Sequence, residues 1–132
     1  MPIELEMVLR LLLAAALGAV IGYQRERAGK TAGLRTNILI CVGAALFTMA
    51  SYGFGSAADP SRIAAGVVAG IGFLGAGVII RTGEGLVAGV TTAATIWAVA
   101  GIGLAAGAGL YLISAVATAL VLIVLFLPHH IR

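Results

Sequence analysis

Between Gly85 and Pro128 the chain runs for 44 residues without a single Asp, Glu, Lys or Arg. As one α-helix rising about 1.5 Å per residue, that run would be about 66 Å long. The hydrocarbon core of a bilayer is only ~30 Å thick, so the run is expected to cross a membrane twice, with a turn in its middle. Ala106-Gly107-Ala108-Gly109 is the natural break, because glycine supplies the backbone freedom a tight turn needs. One span then runs from about Gly89 to Ala105 and the next from Leu110 to Leu127, ended by Pro128.

Hydrophobic residues make up 61% of the 132 residues and charged ones only 10%, where a soluble domain has about half and a quarter. A soluble chain this short has too much surface for its volume to hide so many apolar side chains. Lipid removes that difficulty. Three more spans precede the long run: Leu5 to Tyr23, Leu34 to Tyr52, and Ile63 to Ile80 between Arg62 and Arg81. The expectation is an all-α polytopic membrane protein of about five spans, forming a single transmembrane domain over residues 1–132. The N-terminus opens with Glu4 and Glu6 rather than a basic segment, so the first span reads as retained and not as a signal peptide.

Charge sets the orientation. The first loop carries Arg25, Arg27, Lys30 and Arg35 against Glu26 alone, the second Asp59 and Arg62, the third Arg81 and Glu84. Short loops rich in Lys and Arg stay on the cytoplasmic side, which puts loops one and three inside, the N-terminus outside and the C-terminus cytoplasmic. The same distribution accounts for the net charge of +3 without invoking nucleic acid.

Gly70-Ile71-Gly72-Phe73-Leu74-Gly75 matches the dinucleotide fingerprint letter for letter. That chemistry needs its glycines in a turn between strand and helix, with an acidic residue about 20 positions on. Here the pattern lies inside an apolar span, and the cofactor reading is rejected. Packing explains it better, since helices associate in lipid by close backbone contact at small residues. Gly18 and Gly22 on the first span, and Gly66, Gly70, Gly72, Gly75 and Gly77 on the third, are the expected packing positions. Gly101, Gly103 and Gly107 offer the same on the fourth. Such faces join helices of one chain, or leave a glycine-lined surface for a partner.

Thr91, Thr92 and Thr95 share a helix face near the inner end of the fourth span. They bond either to carbonyls of their own helix or across to another helix. Arg25, Glu26, Arg35, Arg81 and Glu84 gather at the cytoplasmic side, as a brace between loops one and three or as a site for lipid phosphate or an acidic partner. Arg10, inside the first span, either snorkels to the headgroups or meets a partner.

The five carboxylates divide between the two sides, with none at mid-membrane, so neither metal ligation nor an ion-carrying acid is expected. The single Cys41 lies in a span, and His129-His130 sit at the extreme end, which leaves no nucleophile–base arrangement. The chain is read as no enzyme and as needing no cofactor.

Three stretches together resemble the MgtC/SapB family of bacterial inner-membrane proteins. They are Ile21-Gly22 through Ala32-Gly33-Leu34-Arg35-Thr36, Arg62-Ile63-Ala64 through Gly70-Ile71-Gly72-Phe73-Leu74-Gly75-Ala76-Gly77-Val78-Ile79, and Gly89-Val90-Thr91-Thr92-Ala93-Ala94-Thr95-Ile96-Trp97. Gln24 stands where the family commonly has glutamate, Gly66 where glutamine is common and Ala88 where arginine is common. Relatives often carry a soluble C-terminal domain beyond the point where this sequence stops. The resemblance implies a bacterial inner-membrane protein tied to growth at low magnesium and to virulence. It implies action on other membrane proteins, notably restraint of the ATP synthase. A magnesium or other cation transporter or channel is the alternative. The expected partners are the lipid bilayer and either another copy or another inner-membrane protein. Arg25, Glu26, Arg35, Thr36, Arg62, Arg81, Glu84, Thr91 and Thr92 are the candidate functional or architecture-fixing positions.

Overall fold

The computed structural model describes residues 2–57, 59–81 and 87–127. Among these residues the chain forms five α-helices: α1 (Ile3–Arg27), α2 (Leu34–Ser51), α3 (Pro60–Val78), α4 (Val90–Gly107) and α5 (Tyr111–Leu125). A 3-10 segment, Tyr52–Ala57, continues from α2. Two-residue strands β1 (Ile80–Arg81) and β2 (Val87–Ala88) pair antiparallel, Ile80 with Ala88 and Arg81 with Val87.

The helices begin and end where local chemistry says they should. Pro60 occupies the first turn of α3, and Asp59 Oδ1 caps it by accepting from the Ser61 backbone N–H at 3.2 Å. The long apolar run breaks at the expected glycines. α4 stops at Gly107, and Gly109 takes a φ of 85° that side chains disfavour. At the other end of α4, Gly89 has φ 90° and sits so close to the Val78 carbonyl that no Cβ fits.

The four helices α1 to α4 are long and apolar enough to cross a membrane. The fifth is shorter than its expected span. Its 15 residues reach about 22 Å, short of the ~30 Å hydrocarbon thickness. The third span also shifts. It starts at Pro60 and stops at Val78, because Ile79 is extended and hands the chain to the β1–β2 pair. Arg81 therefore lies on a strand.

α4 is the centre of the bundle, packed by α1, α2, α3 and α5. The main core joins Ala14 and Ile21 of α1, Cys41 and Ala45 of α2, and Val99, Ile102 and Ala106 of α4. A smaller one joins Ala32, Ile71, Ile96 and Ala100. Many of these residues are small, and glycines bring the backbones closer still. A Cβ on Gly18 would come 2.7 Å from the Asn37 carbonyl oxygen, and one on Gly22 would come 2.8 Å from Leu34 Cα. On α4, Gly103 lies against the Cys41 carbonyl and Gly107 against Ala45, both on α2.

The glycines of α3 behave differently. A Cβ on Gly75 would make ordinary contact with the Ala93 side chain, at 3.6 Å. One on Gly66, Gly70, Gly72 or Gly77 would meet nothing within 4 Å. The expectation that these four pack helices of one chain together is corrected: in this fold that role falls to glycines of α1 and α4.

Candidate functional site

Arg25 sits in the last turn of α1 with only 3% of its surface exposed. A guanidinium always carries its charge, and burying it costs several kcal/mol unless partners replace water (roughly the penalty of any buried ion). Its Nη2 donates to Thr92 Oγ1, in the first turn of α4, at 2.7 Å. No carboxylate pairs with it among the described residues. Its Nε is buried without a hydrogen-bond partner, as are Gln24 Oε1 beside it in sequence and Asn37 Oδ1 on α2.

Asn37 is fully buried, and its amide donates to the carbonyls of Ala32 (3.1 Å) and Gly33 (2.9 Å). Those bonds fasten the α1–α2 loop to the helix that follows it. Glu26 completes the loop: its Oε1 accepts from the Leu34 backbone N–H at 3.2 Å. That is the free N-terminus of α2, where a negative charge is favourable. Gly33 leaves room for this, since a Cβ there would lie 2.8 Å from the same carboxylate oxygen. Arg25, Thr92, Asn37 and Glu26 thus lock one end of α1, α2 and α4 together.

The other candidate residues separate. Arg35 and Thr36 are exposed on the first turn of α2. Thr91 is exposed as well, while Thr95 donates back to the Thr91 carbonyl at 2.8 Å. Of the three threonines only Thr92 bonds across helices, so they do not form one polar lining. Arg62 is on the first turn of α3, with Nε 3.6 Å from Asp59 Oδ2. The Arg81 side chain and the whole of Glu84 lie outside the described residues, so a brace through them stays an expectation.

A second polar cluster went unread in the sequence. Of the two expectations for Arg10, the second holds, and its partners lie within the chain. Its Nε donates to Tyr111 Oη (3.0 Å), its Nη1 to the Gly107 carbonyl (2.9 Å), and its Nη2 lies 3.4 Å from Glu6 Oε2. Tyr111 in turn donates to Glu6 Oε1 at 3.1 Å. The guanidinium therefore satisfies a carbonyl at the C-terminal end of α4, where cations are favoured. Glu6 and Arg10 stand four apart on one helix, which was a visible signal. Tyr111, 101 residues away, gave none. Asn37 was legible as an amide inside an apolar span, a residue type that bonds between helices in membranes.

This arrangement holds helices together. Among the described residues, no group of three His, Cys, Asp or Glu converges to hold a metal ion. The described carboxylates, Glu4, Glu6, Glu26 and Asp59, lie in the end turns of helices or just outside them.

Known proteins place the chain in context. A family model described as the MgtC family matches residues 11–132. "Putative magnesium transporter YhiD" of Escherichia coli (strain K12) is 45% identical over 134 residues, covering 96% of this chain and 62% of that protein. "Protein MgtC" of Salmonella typhimurium (strain LT2) is 50% identical over 115 residues, 87% of this chain and 49% of that protein. "Protein MgtC" of Brucella abortus (strain 2308) is 47% identical over 111 residues, 84% of this chain and 46% of that one. The chain thus spans about half to three fifths of the length of these curated relatives. No solved structure matches it.

Proposed function

The chain belongs to the MgtC family and is a multi-pass inner-membrane protein, and on that premise we propose that it acts without catalysis, by docking another inner-membrane protein through its helices. The role it serves is adaptation to scarce magnesium and, in pathogens, virulence. By family resemblance the ATP synthase is the first partner to test.

One observation carries this reading. Only 11% of the apolar window of α3 is buried, against 50% in α4. Ala65, Ala69, Gly72 and Ala76, spaced by four, three and four, are all exposed along one face of α3. In lipid, small residues in that spacing let a second helix approach closely. A helix carrying such a face, held by only one strongly packed neighbour, is suited to receive a partner.

The test is growth at low magnesium in cells relying on this protein, together with crosslinked capture from native membranes. Ala69→Leu with Gly72→Leu should abolish both growth support and capture, with helicity and membrane level unchanged. Unimpaired growth and capture in that variant would remove the proposal.

The transport reading draws its support from the printed name of the Escherichia coli relative. Against it stands the placement of the described carboxylates at helix ends, where none serves a route through mid-membrane. Magnesium flux into liposomes holding the purified chain, lost in Thr91→Val with Thr92→Val, would reverse the order of the two readings.

A further inference from the structure

α2 and α3 part along much of their length and leave an apolar groove of about 500 Å³ between them. Leu39, Gly43 and Phe47 line it from α2, and Gly66, Gly70 and Leu74 from α3. Arg62, at the start of α3, stands at one end. The open space over Gly66 and Gly70 is part of this groove. In a bilayer such a recess is filled, because lining atoms without neighbours forfeit their dispersion contacts.

Shape decides what fills it. From Arg62 to Leu74 the helix advances about 18 Å at ~1.5 Å per residue. Over that length the groove is walled by apolar side chains and glycines. A single hydrocarbon chain, whose carbons touch neighbours at about 4 Å, fits along it.

Charge identifies the rest of the ligand. Arg62 has 87% of its side chain exposed, and its contact with Asp59 runs through Nε. The two terminal nitrogens remain for a phosphate, which a guanidinium fork binds with two parallel hydrogen bonds. We propose that the α2–α3 groove holds one acyl chain of an anionic glycerophospholipid whose phosphate is bound by Arg62. This site faces α2 and is separate from the exposed stripe of Ala65, Ala69, Gly72 and Ala76.

The full chain, purified in mild detergent and supplied with dioleoylphosphatidylglycerol, is probed by native mass spectrometry to count lipid retained per chain. One molecule should survive delipidation. Gly70→Leu fills the groove without meeting any atom within 4 Å at its Cβ, and should lower occupancy about tenfold or more by displacing methylenes. Gly66→Leu is the second groove variant and should do the same. Arg62→Gln should lower occupancy by about tenfold through loss of a charge-assisted hydrogen bond. Gly72→Leu, which faces away from the groove and also meets no atom within 4 Å at its Cβ, should leave it unchanged. Absence of retained lipid in the wild-type chain overturns the proposal. So does equal retention by Gly70→Leu, Gly66→Leu and Gly72→Leu. Disulfide-linked pairs of Gly70→Cys chains in membranes, made on a Cys41→Ala background, would place a second copy in the groove and also overturn it.

Discussion

α3 and α4 are sequence neighbours of nearly equal length, 19 and 18 residues, and both are rich in glycine. They do opposite things. α4 is half buried, and its Gly103 and Gly107 are pressed onto the α2 backbone. α3 touches chiefly α4, and four of its five glycines open onto lipid or the groove. Composition and glycine count therefore do not say whether a membrane helix is a centre or an edge. What separates them is the number of neighbours a glycine faces at once. A close backbone crossing uses the missing Cβ; an open face merely keeps it available.

The contrast is tested most severely at Gly103. Gly103→Val should lower stability in detergent by about 3 kcal/mol or prevent folding, since the new side chain meets the Cys41 carbonyl. Thermal unfolding followed by circular dichroism reads this directly. A near-normal midpoint would show that the α2–α4 crossing is looser than described, and the comparison with α3 would fail.

The buried guanidinium gives the next effect. Thr92→Val removes the hydroxyl that accepts from Arg25 and should cost about 2 kcal/mol, because a charged group loses its partner inside the bundle. Arg25→Met with Thr92→Val should cost less than the two single changes added together, since an apolar pair leaves no buried charge. Strict additivity in that cycle would mean the contact is not energetically coupled.

Tyr111→Phe comes third, at about 1 kcal/mol or less. It removes one hydrogen bond from Arg10 and one to Glu6 in a partly exposed cluster. The smallest change is expected on α3. Gly70→Ala should be neutral or stabilising by up to about 1 kcal/mol, as alanine favours helix and meets nothing there. Destabilisation as large as at Gly103 would show that α3 is covered in the folded protein.

Much of the fold was legible because the signals are local. The uncharged run, its glycine break at 106–109, and the arginines flanking the third span each depend on residues a few positions apart. The end of α3 was less legible, since Ile79 and Ile80 continue the apolar pattern up to Arg81, and the chain leaves the helix there to pair with Val87 and Ala88. Of the candidate site, Arg25, Glu26 and Thr92 could be named for their charge or hydroxyl, but their assignments could not. Arg25 and Thr92 are 67 residues apart, and no periodicity links them. Asn37 was overlooked although an amide in an apolar span invites a partner.

The sequence alone determined that this chain lives in lipid and how often it turns, because each helix in a bilayer must satisfy its own backbone and hide charge from hydrocarbon. Only the tertiary structure decided which helix stands at the centre, which glycines are pressed and which lie open. Those outcomes depend on simultaneous contact among α1, α2 and α4, and contact between distant segments leaves no mark on the spacing of residues along one of them.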